Sequence, residues 1–240
     1  MNYPIVILHG WNLNAEKFKP LEEELEKRGY QVFCFDLPGF GQSNIPDKPL
    51  TLSDYVSYIE NFLKKKKIPK IILIGHSFGG RISIKFAAKN PGLLKALILT
   101  GAPGLNPVPK IKILFFLILS KVGNWLFSIP LLSYFKNIAR AFLYKAAKAT
   151  DFYNSHPSMR QTFKNIVLEE LSQYLRQIKT PTLLIWGEED QIVPIGIAQK
   201  MNKLIKKSQL VIIPNARHGV PWTNSKEFTN KVEVFLNEYE

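Results

Sequence analysis

Three side chains of this sequence could together turn an alcohol into a nucleophile: Ser77, His218 and Asp190. A serine hydroxyl attacks poorly at neutral pH, so it needs a base beside it and a third group to orient that base. Ser77 stands in Gly75-His76-Ser77-Phe78-Gly79-Gly80, directly after the apolar run Ile71-Ile72-Leu73-Ile74. A sharp strand-to-helix turn at this point would hold the hydroxyl clear of the backbone. The serine would be strained there, which is tolerable where the residues two positions away on either side lack a Cβ. The same turn aims the Phe78 amide toward the start of the next helix, where negative charge is stabilised.

Four histidines compete to be the base. His76 lies inside the turn and points away from its neighbour's hydroxyl, so it is expected to be structural. His9 ends the first apolar run and is expected to brace that loop, while His156 has no orienting acid nearby in sequence. His218, in Asn215-Ala216-Arg217-His218-Gly219, follows the last apolar run and precedes the last helical segment, and it is the expected base. The acid follows by elimination. Between Asn61 and Thr150 there is no Asp or Glu, and the loop Thr100-Gly101-Ala102-Pro103 offers none. The next strand end reads Trp186-Gly187-Glu188-Glu189-Asp190. Asp190 is expected to accept the His218 Nδ1–H and stabilise the imidazolium, with Glu188 and Glu189 as surface charge. Asp36 also ends an apolar run, but Asp36-Leu37-Pro38-Gly39-Phe40-Gly41 suggests a side chain that caps a turn. In His9-Gly10-Trp11-Asn12, Gly10 lets the chain turn so that the Trp11 amide can stand beside that of Phe78 as a second oxyanion donor.

The elements that must position these groups alternate along the chain. Strand-like runs fall at Ile5–Leu8, Gln31–Phe35, Lys70–Ile74, Leu94–Leu99, Thr182–Trp186 and Leu210–Ile213. Most are continuously apolar, as strands covered on both faces of a parallel sheet are. Helical candidates lie between them. Thr51-Leu52-Ser53-Asp54 resembles a capping box, Leu52, Tyr55, Val56, Ile59, Phe62 and Leu63 recur at helical spacing, and Arg81–Lys89 and Ser225–Glu238 follow. This order predicts an α/β fold with a doubly wound, mostly parallel sheet of about six strands, its functional groups at the strands' carboxyl ends. After Leu99 the alternation stops, which predicts a helical cap at 104–176 inserted into a core of 1–103 and 177–240.

The bulk numbers agree with one enzyme-sized domain. The chain has 240 residues, 46% of them apolar, and one cysteine, Cys34, set in an apolar run. A lone buried thiol fits a reducing compartment, and no basic region or cleavage site marks a secretory leader, so a cytoplasmic location is expected. The net charge of +13 and the carboxylate-free middle suit acidic substrates or anionic lipid headgroups; no nucleic-acid motif accompanies them. Lys64-Lys65-Lys66-Lys67 reads as a solvated helix end. Ile113–Leu119 is too short to span a bilayer, for which roughly 20 apolar residues are needed, and is expected to be a cap helix over the site or an interfacial contact.

The motifs His9-Gly10-Trp11, Asp36 to Ser43, Gly75 to Gly80, Trp186 to Asp190 with Val193-Pro194, and His218-Gly219 occur in the order and spacing of the α/β-hydrolase superfamily, which this chain resembles nearly end to end. Relatives usually begin with two further antiparallel strands that are absent here, so Gln31–Phe35 should become a sheet edge. The resemblance implies the chain order nucleophile, acid, base as Ser77, Asp190, His218, with no metal or organic cofactor and a small-molecule ester as substrate. The cap residues Phe115, Phe116, Trp125, Phe127, Tyr134, Phe135 and Phe142 favour a hydrophobic or anionic acyl group. Thioesterase, lipase-like, carbon–carbon-bond hydrolase and perhydrolase activities share these motifs, and some members of the superfamily only bind ligands.

Overall fold

The computed structural model describes residues 3–105 and 156–239. The segment Ile113–Leu119 and the seven cap aromatics lie outside the described residues. Six strands, β1 (Ile5–Leu8), β2 (Val32–Cys34), β3 (Ile71–His76), β4 (Leu94–Thr100), β5 (Thr182–Gly187) and β6 (Ser208–Ile213), form one parallel sheet in the order β2-β1-β3-β4-β5-β6. Every residue of β1, β3 and β5 is buried, which accounts for their unbroken apolar sequences.

Alternate side chains feed two cores. Val6, Leu8 and Leu73 join one with α2 (Leu52–Lys66), α3 (Phe78–Lys89) and α6 (Ile195–Leu204). Ile5, Ile7, Ile72 and Ile74 join the other with α1 (Lys19–Glu26) and α8 (Ser225–Asn237). Within the expected cap range, α4 (Pro157–Leu168) and α5 (Ser172–Gln177) contribute Met159, Ile166 and Leu175 to the first core. A short helix, α7 (Val220–Thr223), follows His218.

Helix α2 starts at a reciprocal cap. The Thr51 Oγ1 accepts from the Asp54 amide at 3.3 Å, and the Asp54 carboxylate accepts from the Thr51 amide at 2.7 Å. It ends with Lys64, Lys65 and Lys66 at the negative end of the helix dipole. Among the described residues strand β2 pairs with β1 alone and is a sheet edge, its Phe33 and the adjacent Phe35 leaning on Phe62 of α2. No helix among the described residues is long and apolar enough to cross a membrane.

The chain winds from β1 outward to β2 on one side and to β3 on the other. The carboxyl ends of β1 and β3 therefore flank the point where the winding reverses, the place where such sheets open a crevice.

Candidate active site

Ser77 leaves β3 with φ 51° and ψ −112°, a left-handed backbone for a residue with a side chain. Neighbouring strands hold it in that state. Its amide donates to the Thr100 carbonyl at the end of β4 (3.0 Å), and the Gly79 amide donates to the His9 carbonyl at the end of β1 (3.0 Å). A Cβ on Gly79 would collide with the Leu8 and His9 carbonyls, and one on Gly75 with Ser83 and Gly80. Both glycines are thus required by close approach as well as by the turn. Phe78 is the first residue of α3, so its amide has no acceptor within the helix. Trp11 sits in the turn closed by Leu13 N–H to Gly10 O, and the Trp11 and Phe78 rings meet edge to face at 5.5 Å. Phe40 and Phe163 pack on the same indole at 4.8 and 5.0 Å, giving this corner an aromatic wall.

Asp190 and His218 meet across the loops after β5 and β6, with 2.7 Å between Asp190 Oδ2 and His218 Nδ1. The other carboxylate oxygen, Oδ1, accepts from the Ile192 and Val193 amides at 2.9 and 2.8 Å, which fixes the carboxyl plane. The Asp190 side chain is 1% exposed and that of His218 15%. The two loops are tied by Glu188 N–H to Ile213 O and Glu189 N–H to Ala216 O. Glu188 reaches only the exposed Asn215 amide and Glu189 an exposed Arg217, so Asp190 alone of the three carboxylates is buried against the imidazole. An Nδ1–H donated to Asp190 leaves Nε2 as the nitrogen free to accept a proton.

The remaining histidines do other work. His76 donates its Nε2–H to the His218 carbonyl at 3.1 Å, and burial, with His218 nearby as a second cause, pushes its pKa down to about 3. It is a neutral prop under the His218 loop. His9 accepts from the Leu37 amide at Nε2 (2.9 Å) and donates from Nδ1 to Gly10 O (2.8 Å), and burial lowers its pKa. His156 caps α4 by accepting from the Ser158 amide. Asp36 accepts from the Ala15 and Gln42 amides, both at 2.7 Å, as a turn cap does. Burial raises the Cys34 thiol to about 12.

Two further residues shape this end of the sheet and are not singled out by sequence. Gly101, at φ 55°, lies under the His218 ring: a Cβ there would stand 2.6 Å from His218 Cε1 and 2.8 Å from Nδ1. The loop that offers no acid is the floor on which the imidazole rests. Arg81, 4% exposed, donates to the carbonyls of Pro103 (2.5 Å), Ile166 (2.8 Å) and Glu169 (2.5 Å). It ties the loop after β4 to the end of α4. Lys85, one turn on, pairs with Glu169 at 2.5 Å. Helix α3 is buried on all sides from Phe78 to Ala87, and its apolar residues Ile82, Ile84 and Phe86 mark no one face that would have shown Arg81 and Lys85 to be buried donors.

The family model for the alpha/beta hydrolase fold matches residues 3–225. The chain is 28% identical to the 2-hydroxy-6-oxononadienedioate/2-hydroxy-6-oxononatrienedioate hydrolase of Cupriavidus pinatubonensis, over 97% of this chain and 86% of that protein. It is also 28% identical to Lipase 1 of Psychrobacter immobilis, over 94% of this chain and 74% of that protein. Among solved structures, bromoperoxidase from Bacillus anthracis superposes with a TM-score of 0.76 at 20% identity, covering 99% of this chain and 92% of that one.

Proposed function

The chain belongs to the alpha/beta hydrolase fold family, and on that premise we propose that it is a serine hydrolase that cleaves a carboxylic ester through an acyl-enzyme. Ser77 Oγ attacks the carbonyl carbon while His218 Nε2 takes the hydroxyl proton. The Trp11 and Phe78 amides hold the oxyanion, and Asp190 carries the charge that develops on the imidazole. The alcohol departs with the proton from His218. Water, deprotonated in turn by His218, then releases the acid and restores Ser77. The observation that carries this reading is the 2.7 Å contact between His218 and an Asp190 that also accepts from two backbone amides, in loops beside a serine held at positive φ.

The aromatic corner of Trp11, Phe40, Phe78 and Phe163 supports an apolar acyl group, and residues 104–176 are proposed to form the cap over it. A second reading is hydrolysis of a carbon–carbon bond in an anionic dienoate. It is supported by the relative from Cupriavidus pinatubonensis and by the carboxylate-free stretch from Asn61 to Thr150. Ser77→Ala should abolish turnover of short p-nitrophenyl esters and labelling by a fluorophosphonate. Retained turnover refutes the nucleophile. Fast consumption of a dienoate by an enzyme that hydrolyses esters only slowly selects the second reading.

A further inference from the structure

We propose that the end of the sheet opposite Ser77 is a docking face for an anionic lipid surface. In a parallel, doubly wound sheet every connecting helix runs back against the strands, so helix C-termini and strand N-termini share one end of the molecule. That end is rich in lysine. Helix α2 closes on four exposed lysines at 64–67 and α3 on the exposed Lys89. Lys70 directly precedes β3, Lys179 lies just before β5, and Lys206 and Lys207 lead into β6. Strands β3, β4, β5 and β6 are neighbours at about 5 Å spacing, so these cations share one end of a four-strand width.

The positive charge there outnumbers the negative. Among the described residues none of these lysines has a carboxylate within ion-pair distance. The nearby Glu60 is held by the Asn90 side chain and Glu238 by Gln209. Under β1 and β2 the pattern differs, for there Lys27 pairs with Glu24 and Arg28 with Glu233. Among the described residues at this end, the excess thus lies on the side of β3 to β6. Apart from the exposed Arg176 in the last turn of α5, it is built of ammonium groups, point charges without the planar fork that reads phosphate and base edges, and this predominance favours a diffuse anionic surface over a nucleic acid. Docking this way turns the carboxyl ends of the strands, and Ser77 with them, toward water. The sequence leads us to expect membrane contact through the carboxylate-free middle and the segment Ile113–Leu119, the latter outside the described residues, with Lys64–Lys67 read as a solvated helix end.

Sedimentation with phosphatidylcholine vesicles, with and without 30 mol% phosphatidylglycerol, tests the proposal. The full chain should bind the anionic vesicles only, and 0.5 M NaCl should release it, since screening then acts within a few ångströms. A lysine near such a surface contributes roughly fivefold in affinity, so K64Q/K65Q/K66Q should weaken binding by about a hundredfold. K19Q/K48Q/K226Q, which removes the same charge from exposed positions at the opposite end, should leave binding within about threefold. Both variants should keep the wild-type melting temperature and ester turnover, which excludes misfolding. Equal binding to neutral vesicles, equal loss in the two variants, or retention on duplex DNA that exceeds retention on the vesicles and falls with K64Q/K65Q/K66Q would overturn it.

Discussion

Gly101→Ala is the sharpest test of how the proposed base, His218, is held. Gly101 has φ 55°, where a Cβ costs about 1–2 kcal/mol, and a 240-residue domain loses about 2–4 °C of Tm per kcal/mol. The variant should therefore melt about 2–8 °C lower and remain folded at 25 °C. The larger effect is on catalysis. The new methyl would stand 2.6 Å from His218 Cε1 and 2.8 Å from Nδ1, where ordinary contact begins near 3.4 Å. The ring must retreat by about 1 Å, a displacement that costs roughly a hundredfold in rate when it falls on reacting groups. It has little freedom to retreat intact: the His218 backbone is tied by its carbonyl to His76, and Asp190 is fixed by two amides. The 2.7 Å bond to Asp190 must stretch, and complete loss of such an orienting bond costs about 10⁴-fold. Stopped-assay turnover of p-nitrophenyl butyrate should thus fall between about 10²- and 10⁴-fold in kcat with KM little changed. Gly92→Ala is the control, because nothing lies within 4 Å of a Cβ there and φ is not positive. A folded Gly101→Ala enzyme with kcat within twofold of wild type would refute the placement of His218 as base.

Two other perturbations probe the props around the site. His76 has its pKa depressed from an ordinary 6.5 to about 3, so the unfolded chain takes up its proton first and this group's share of stability, full above pH 6.5, is lost as pH falls toward 3. His218, Asp190 and His9 act on the same ring, and His9 is itself depressed, so wild type should lose stability in acid by more than one group's share. His76→Gln, which keeps an N–H for the His218 carbonyl, should lose about 2 kcal/mol less than wild type between pH 7 and 5 in urea unfolding; identical losses would contradict a buried neutral His76. Arg81→Met leaves the Pro103, Ile166 and Glu169 carbonyls without their donor and should cost about 3–5 kcal/mol in thermal melts, with Arg81→Lys intermediate. A loss below 1 kcal/mol would show that the guanidinium ties nothing together.

What the sequence exposed and what it hid divide along a physical line. Strands buried on both faces announce themselves as unbroken apolar runs, and all six lie where those runs stand. Their ends blur where exposure changes: β6, an edge, begins two residues early at the half-buried Ser208 and Gln209, which carry no apolar signal. Helix α3 begins at Phe78 and not Arg81, because Gly79 and Gly80 read as loop by propensity yet are demanded by carbonyls of β1 and the methyl of Ala102. The Asp190–His218 pairing was legible because a carboxylate-free stretch left few acids to choose from. Arg81 and Gly101 were not. A single arginine on a helix reads as solvated until its neighbours are known, and the space above a glycine belongs to whichever loop fills it.

The strain at Ser77 and the assembly of the site have one origin. A serine at φ 51° stores about 1–2 kcal/mol and would relax in an isolated turn. Here it cannot, because β4 holds the Ser77 amide through Thr100 and β1 holds the Gly79 amide through His9. The residues immediately beyond those two carbonyls are Gly101, the floor beneath His218, and Gly10, which leads to the Trp11 amide. Each strand that restrains the elbow therefore also delivers the next group of the site. A change that relaxes Ser77 by loosening β1 or β4 must displace the proposed base or a proposed oxyanion donor in the same step, so strain relief and rate loss are expected to move together in variants of the His9 and Thr100 loops.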